Sequence, residues 1–87
     1  MTVKNILEKK LNNQLQPTAL EVIDESHLHA GHAHSRPEGE THFRIRIASP
    51  AFSGKSRVDA HRMVHDVIKD ELDGPIHALA LETIRPE

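Results

Sequence analysis

The strongest constraint on the fold is a short alternation in the second half of the chain. From Thr41 to Ala48, Phe43, Ile45 and Ile47 take one parity while His42, Arg44 and Arg46 take the other. Side chains of a strand point to opposite faces with period two, so this segment predicts a strand with one buried and one solvated face. Such a strand belongs to a sheet covered on one side only. The remaining elements have to supply that cover from a chain of 87 residues, of which 37% are hydrophobic. That suits one domain with one small core.

The cover is visible as two amphipathic stretches. Val3, Ile6, Leu7, Leu11 and Leu15 recur at spacings of three and four, which predicts a helix with Thr2 as its N-cap. Pro17 disfavours helical geometry at Gln16, so this helix is expected to stop near Gln14. A second helix is expected after Ser56, which with Asp59 resembles a capping box with a shorter acid. Ala60, Met63, Val64, Val67 and Ile68 form its apolar face, and Asp73-Gly74-Pro75 ends it. Ala19 to Glu25 is a weaker strand, supported by Val22 and Ile23. Ile76 to Ile84 reads as the last strand, and Ser49-Pro50 followed by Phe52-Ser53-Gly54-Lys55 as a break and tight turn. The order helix, strand, strand, turn, helix, strand is an α+β pattern. The first two strands can pair antiparallel, and return through the second helix permits parallel pairing of the third, giving a three-stranded mixed sheet.

Residues 26–40 have neither a helical nor a strand period and read as a long loop. His27, His29, His32 and His34 are crowded there, half of the eight histidines of the chain. Imidazole is a common ligand for transition metals, which makes this loop a candidate donor of one ligand to a site completed elsewhere. A polar loop that is merely rich in histidine is the plainer reading. His61 and His65 lie four apart on one helical face and could grip a metal together. No Glu follows His61 as the zinc-protease motif requires, and packing beside the apolar face is the alternative. His77 opens an apolar strand and reads either as a ligand or as a satisfied strand residue. His42 shares the wet face of its strand with Arg44 and Arg46, as a solvated stripe or as a cationic surface for an acidic partner.

Composition excludes several classes. Without cysteine there is neither a disulfide framework nor a thiolate nucleophile. Lys plus Arg number 11 against 13 Asp plus Glu, which argues against a strongly phosphate-neutralising protein. With neither Trp nor Tyr there is little to stack on bases. No nucleophile elbow or phosphate-binding glycine loop is present, so an enzyme is not expected. The longest uncharged apolar run, Ile76 to Leu81, is far short of the ~20 residues that span a bilayer. The N-terminus lacks the apolar run of a signal peptide, so a cytoplasmic protein with no membrane partner is the expectation.

Taken together, Leu20-Glu21-Val22-Ile23-Asp24-Glu25-Ser26, Glu40-Thr41-His42-Phe43, Phe52-Ser53-Gly54, His61-Arg62-Met63-Val64 and His77-Ala78-Leu79 resemble the BolA family, over residues 3–84. The resemblance implies a fold similar to the class II KH domain, a three-stranded sheet with helices on one side. It also implies a non-enzymatic adaptor beside a monothiol glutaredoxin, the two sharing a [2Fe–2S] cluster. In such a complex the glutaredoxin and glutathione each supply a thiolate. The BolA-like partner supplies the histidine of the His-Ala-Leu motif, here His77, and a histidine or cysteine from the loop between the first two strands. This chain has no cysteine, so the loop ligand would be histidine: His32 first, from Ala30-Gly31-His32-Ala33, then His29, then His34. The family's helix-turn-helix-like region, here Phe52 to Val67, is implicated in DNA binding and transcriptional control in some members. That makes Lys55, Arg57 and Arg62 the candidate nucleic-acid contacts, although Asp59, Asp66 and Asp70 oppose them.

Overall fold

The computed structural model describes residues 2–25 and 42–85. Helix α1 runs Val3–Leu15, strand β1 Ala19–Asp24 and strand β2 His42–Ala48. A short 3-10 turn at Pro50–Phe52 leads to helix α2 at Arg57–Val67, helix α3 at Lys69–Asp73 and strand β3 at Ala78–Ile84. The result is the expected α+β order.

The sheet order is β1-β2-β3. Strands β1 and β2 are antiparallel, with Leu20 opposite Ile47, Val22 opposite Ile45 and Asp24 opposite Phe43. Strands β2 and β3 are parallel, with His42 opposite Ala78, Ile45 opposite Leu81 and Ala48 opposite Ile84. The alternation in β2 is realised as read: Phe43, Ile45 and Ile47 are buried while Arg44 and Arg46 are exposed. Both long helices lie over the buried face. Leu7, Leu11 and Leu15 of α1 and Ala60 and Val64 of α2 join Val22, Phe43, Ile45, Ile47, Phe52, Ile68 and Ile76 in one core. Burial of this apolar set, at roughly 25 cal/mol per Å2, is the main force holding the helices to the sheet.

The caps were legible and form as expected. The Thr2 hydroxyl accepts from Asn5 N–H at 3.1 Å, and Ser56 Oγ accepts from Asp59 N–H at 3.1 Å. Three boundaries differ from expectation. Helix α1 continues to Leu15 because Leu15 is a core residue, and Gln16 then turns into the left-handed region at φ 44° ahead of Pro17. The second helix is not continuous. Ile68, at φ −109° and ψ 24°, separates α2 from α3, and the turn keeps Ile68 fully buried. Strand β3 begins at Ala78 rather than Ile76, because Ile76 N–H donates back to the Glu71 carbonyl at 3.1 Å and leaves the ladder.

Two polar anchors tie the helices down. Ser49 is buried; its Oγ donates to the Leu15 carbonyl at 2.6 Å and accepts from Ala51 N–H at 3.1 Å. Glu71 on α3 is also buried, and Lys10 Nζ from α1 donates to both its carboxylate oxygens, at 3.0 and 2.9 Å.

Candidate functional site

His77 sits where the chain leaves the helical layer and enters the sheet. Ile76 before it is buried and its backbone is held by Glu71, while Ala78 after it starts the β3 ladder. The backbone on either side is therefore fixed, yet the His77 side chain is exposed. A fixed base with an exposed imidazole is what a ligand offered to something outside the chain requires.

A second imidazole, that of His42, lies beside that of His77. His42 shares a strand face with Arg44 and Arg46, as its alternation predicts, and opens β2 half-buried. Its ring, however, lies edge-on to that of His77, with centroids 6.2 Å apart and planes at 69°. The parallel register explains the meeting, because His42 pairs with Ala78, the neighbour of His77. The clue in the sequence is that a histidine opens β2 and another immediately precedes β3. An open cavity of ≈ 310 Å3 adjoins, lined by Glu25, His42, Phe43, Ala78, Leu79 and Ala80.

The other sequence candidates are distributed as follows. His29, His32 and His34 of the loop lie outside the described residues. His61 is half-buried on α2 and lines a separate cavity of ≈ 400 Å3 with Arg57, Leu81, Glu82 and Thr83, towards the other end of β3. Burial pushes its imidazole pKa below the ordinary 6.5, and the positive charges of His65 and Arg57 push the same way. His65 is exposed. Among the described residues no group of three or more His, Cys, Asp or Glu side chains could hold a metal ion. The two adjoining imidazoles have no third such side chain beside them among the described residues.

Electrostatics separates the two cationic surfaces. On the open face of the sheet, Arg44 Nε donates to Glu25 at 3.0 Å, and Arg46 lies 3.7 Å from Glu21 and 3.3 Å from Glu82. That stripe is a cross-strand ladder of opposite charges, not a free positive surface. Lys55 just before α2, Arg57 at its start and Arg62 at its middle are all exposed, and Arg62 approaches Asp59 at 4.0 Å. Among the described residues no helix is long and apolar enough to cross a membrane.

Comparison with known proteins places this arrangement. The family model described as BolA-like protein matches residues 11–87. The "Uncharacterized protein in cobS 5'region" of Sinorhizobium sp is 48% identical over 87 residues, covering 99% of this chain and 94% of that protein. The DNA-binding transcriptional regulator BolA of Vibrio cholerae is 40% identical over 82 residues, covering 93% of this chain and 73% of that one. Among solved structures, BolA1 from Arabidopsis thaliana superposes with a TM-score of 0.87 at 36% identity, covering 99% of this chain and 94% of its own. Because the family model spans residues 11–87 and these relatives are 36–48% identical over more than nine-tenths of the chain, the chain belongs to the BolA-like protein family.

Proposed function

We propose that this protein is a non-enzymatic, cytoplasmic adaptor in iron–sulfur cluster trafficking or iron homeostasis. It would share a [2Fe–2S] cluster with a monothiol glutaredoxin, without contact to a membrane. His77 is one ligand, and one histidine of the loop, His32 before His29 and His34, is the other. The glutaredoxin and its bound glutathione provide the thiolates.

The observation that carries this reading is the exposed His77 imidazole on a backbone fixed from both sides. The donor chemistry fits. Imidazole replaces thiolate on one iron of Rieske [2Fe–2S] centres, and the chain, having no cysteine, offers only imidazole where a partner must bring sulfur. An exposed imidazole also protonates and leaves more readily than a thiolate, which suits a cluster that is passed on. In the test, the protein is mixed with cluster-loaded monothiol glutaredoxin and followed by visible circular dichroism and gel filtration. A heterodimer with an altered cluster spectrum is expected, and His77→Ala should change that spectrum more than His65→Ala. An unchanged spectrum without heterodimer sinks the reading.

A second reading has two observations in its favour. The Vibrio cholerae relative is named a DNA-binding transcriptional regulator, and Lys55, Arg57 and Arg62 are exposed before and along the first half of α2 here. The charge pairing of Arg62, Arg44 and Arg46 weighs against a broad phosphate-binding surface.

A further inference from the structure

We propose that His42 and His77 together form a mononuclear site for a divalent d-block cation, zinc above all, in the chain by itself. The site shares His77 with the cluster reading but needs neither glutaredoxin nor a cluster. It stands or falls on the isolated protein.

The geometry is the argument. His42 and His77 come from the starts of neighbouring parallel strands, and the ladder from His42–Ala78 onward fixes the distance between their backbones. Their ring centroids are 6.2 Å apart. With Zn–N bonds of about 2.0–2.1 Å, a zinc ion sits about 3.2 Å from the centroid of each ligating ring. Two rings on one zinc are then about 5.2 Å apart at the tetrahedral angle and about 6.4 Å apart when opposite. The observed separation lies inside that range. Closure to the tetrahedral value needs about 1 Å of ring movement, which the exposed His77 side chain can supply by rotation about its side-chain bonds.

The chemistry is equally specific. Neutral imidazole is a borderline donor that suits zinc, copper and nickel, and magnesium or calcium poorly. An imidazole that keeps one ring nitrogen in a hydrogen bond still presents the other to a metal, and such a bond orients the ring. Among the described residues no third ligand joins the pair, so water or an incoming group completes the sphere. Zinc with open positions of this kind can be displaced. A bound zinc and a shared cluster would then compete for His77.

The test uses the full chain, 15N-labelled, titrated with zinc chloride while long-range 1H–15N spectra follow each imidazole. His27→Asn, His29→Asn, His32→Asn and His34→Asn are introduced together as background, so that the loop histidines cannot report or compete. The ring nitrogens of His42 and His77 are expected to shift together in one saturable event at one zinc per chain. His42→Ala, or His42→Asn should the alanine variant fold poorly, is expected to weaken zinc binding at His77 by about tenfold or more. His65→Ala should leave it unchanged. The proposal is overturned if His77 responds without His42, if its affinity is the same in both His42 variants, or if neither ring responds. Because no glutaredoxin is present, failure here leaves the cluster experiment untouched, and failure there leaves this one untouched.

Discussion

Ser49→Ala removes one oxygen from the fully packed junction between α1, β2 and the 3-10 turn. The hydroxyl donates to the Leu15 carbonyl at 2.6 Å and accepts from Ala51 N–H at 3.1 Å. The residue is 1% exposed, so water does not replace the lost partner without rearrangement. Each hydrogen bond contributes about 1 kcal/mol net, and a buried group left without a partner costs about 1–3 kcal/mol. The two together give an expected loss of about 2 kcal/mol. For a domain of this size, 1 kcal/mol moves Tm by roughly 4–8 °C, so the midpoint should fall by roughly 8–16 °C. Urea titration followed by far-UV circular dichroism should show a lower midpoint at unchanged m, because losing one buried oxygen scarcely changes the surface exposed on unfolding. Ser49 follows Ala48, which pairs with Ile84 at the far end of the ladder from His42 and Ala78. The His77 ring signals should therefore not move. A loss below about 0.5 kcal/mol would refute the claim that this hydroxyl anchors the end of α1.

Three further outcomes are expected. Hydrogen bonding to Glu71 raises the Lys10 pKa above the ordinary 10.5, against a smaller opposing effect of burial; the resulting stabilisation is complete below pH 10.5 and disappears as pH rises through the raised value. Thermal melts of Lys10→Met should therefore lie below wild type at pH 7 and converge with it in strong alkali. The His61 pKa is lowered from 6.5, chiefly by burial, so its contribution is intact above pH 6.5 and is lost as pH falls through the lowered value; His61→Gln should lose less Tm than wild type between pH 7.5 and 5. If Lys55, Arg57 and Arg62 contact duplex DNA, log affinity against log salt should have a slope of about −2.7, from about 0.9 per neutralised phosphate, and reversing all three charges should abolish it; a slope unchanged by reversal removes this surface from the nucleic-acid reading.

Most of the fold was legible because its signals are local. The period-two alternation from Phe43 to Ile47, the four-residue spacing of Leu7, Leu11 and Leu15 and the hydroxyls of Thr2 and Ser56 each specify structure within a short stretch of chain. The misplaced boundaries depend on tertiary contacts. Leu15 stays helical because the core takes it, Ile68 breaks the second helix while remaining buried, and Ile76 is drawn out of β3 by the Glu71 carbonyl. The site followed the same division. His77 was singled out by its place before an apolar strand and by the His-Ala-Leu resemblance. His42 was read only as a surface residue, because its meeting with His77 is created by the parallel register of β2 and β3. Local alternation reports the face of a residue but not its neighbour on the next strand. The expected cationic stripe changed meaning for a similar reason: Glu21, Glu25 and Glu82 come alongside Arg44 and Arg46 only when all three strands are assembled.

The central claim is that the His77 imidazole ligates a shared cluster. Pulsed electron paramagnetic resonance of the reduced mixed cluster, formed with 15N-histidine-labelled protein and unlabelled monothiol glutaredoxin, tests it most directly. Strong 15N hyperfine couplings from two imidazoles of this chain are expected, with one of them lost in His77→Ala and both retained in His65→Ala. A cluster without strong 15N coupling, or one whose couplings survive intact in His77→Ala, would contradict the assignment.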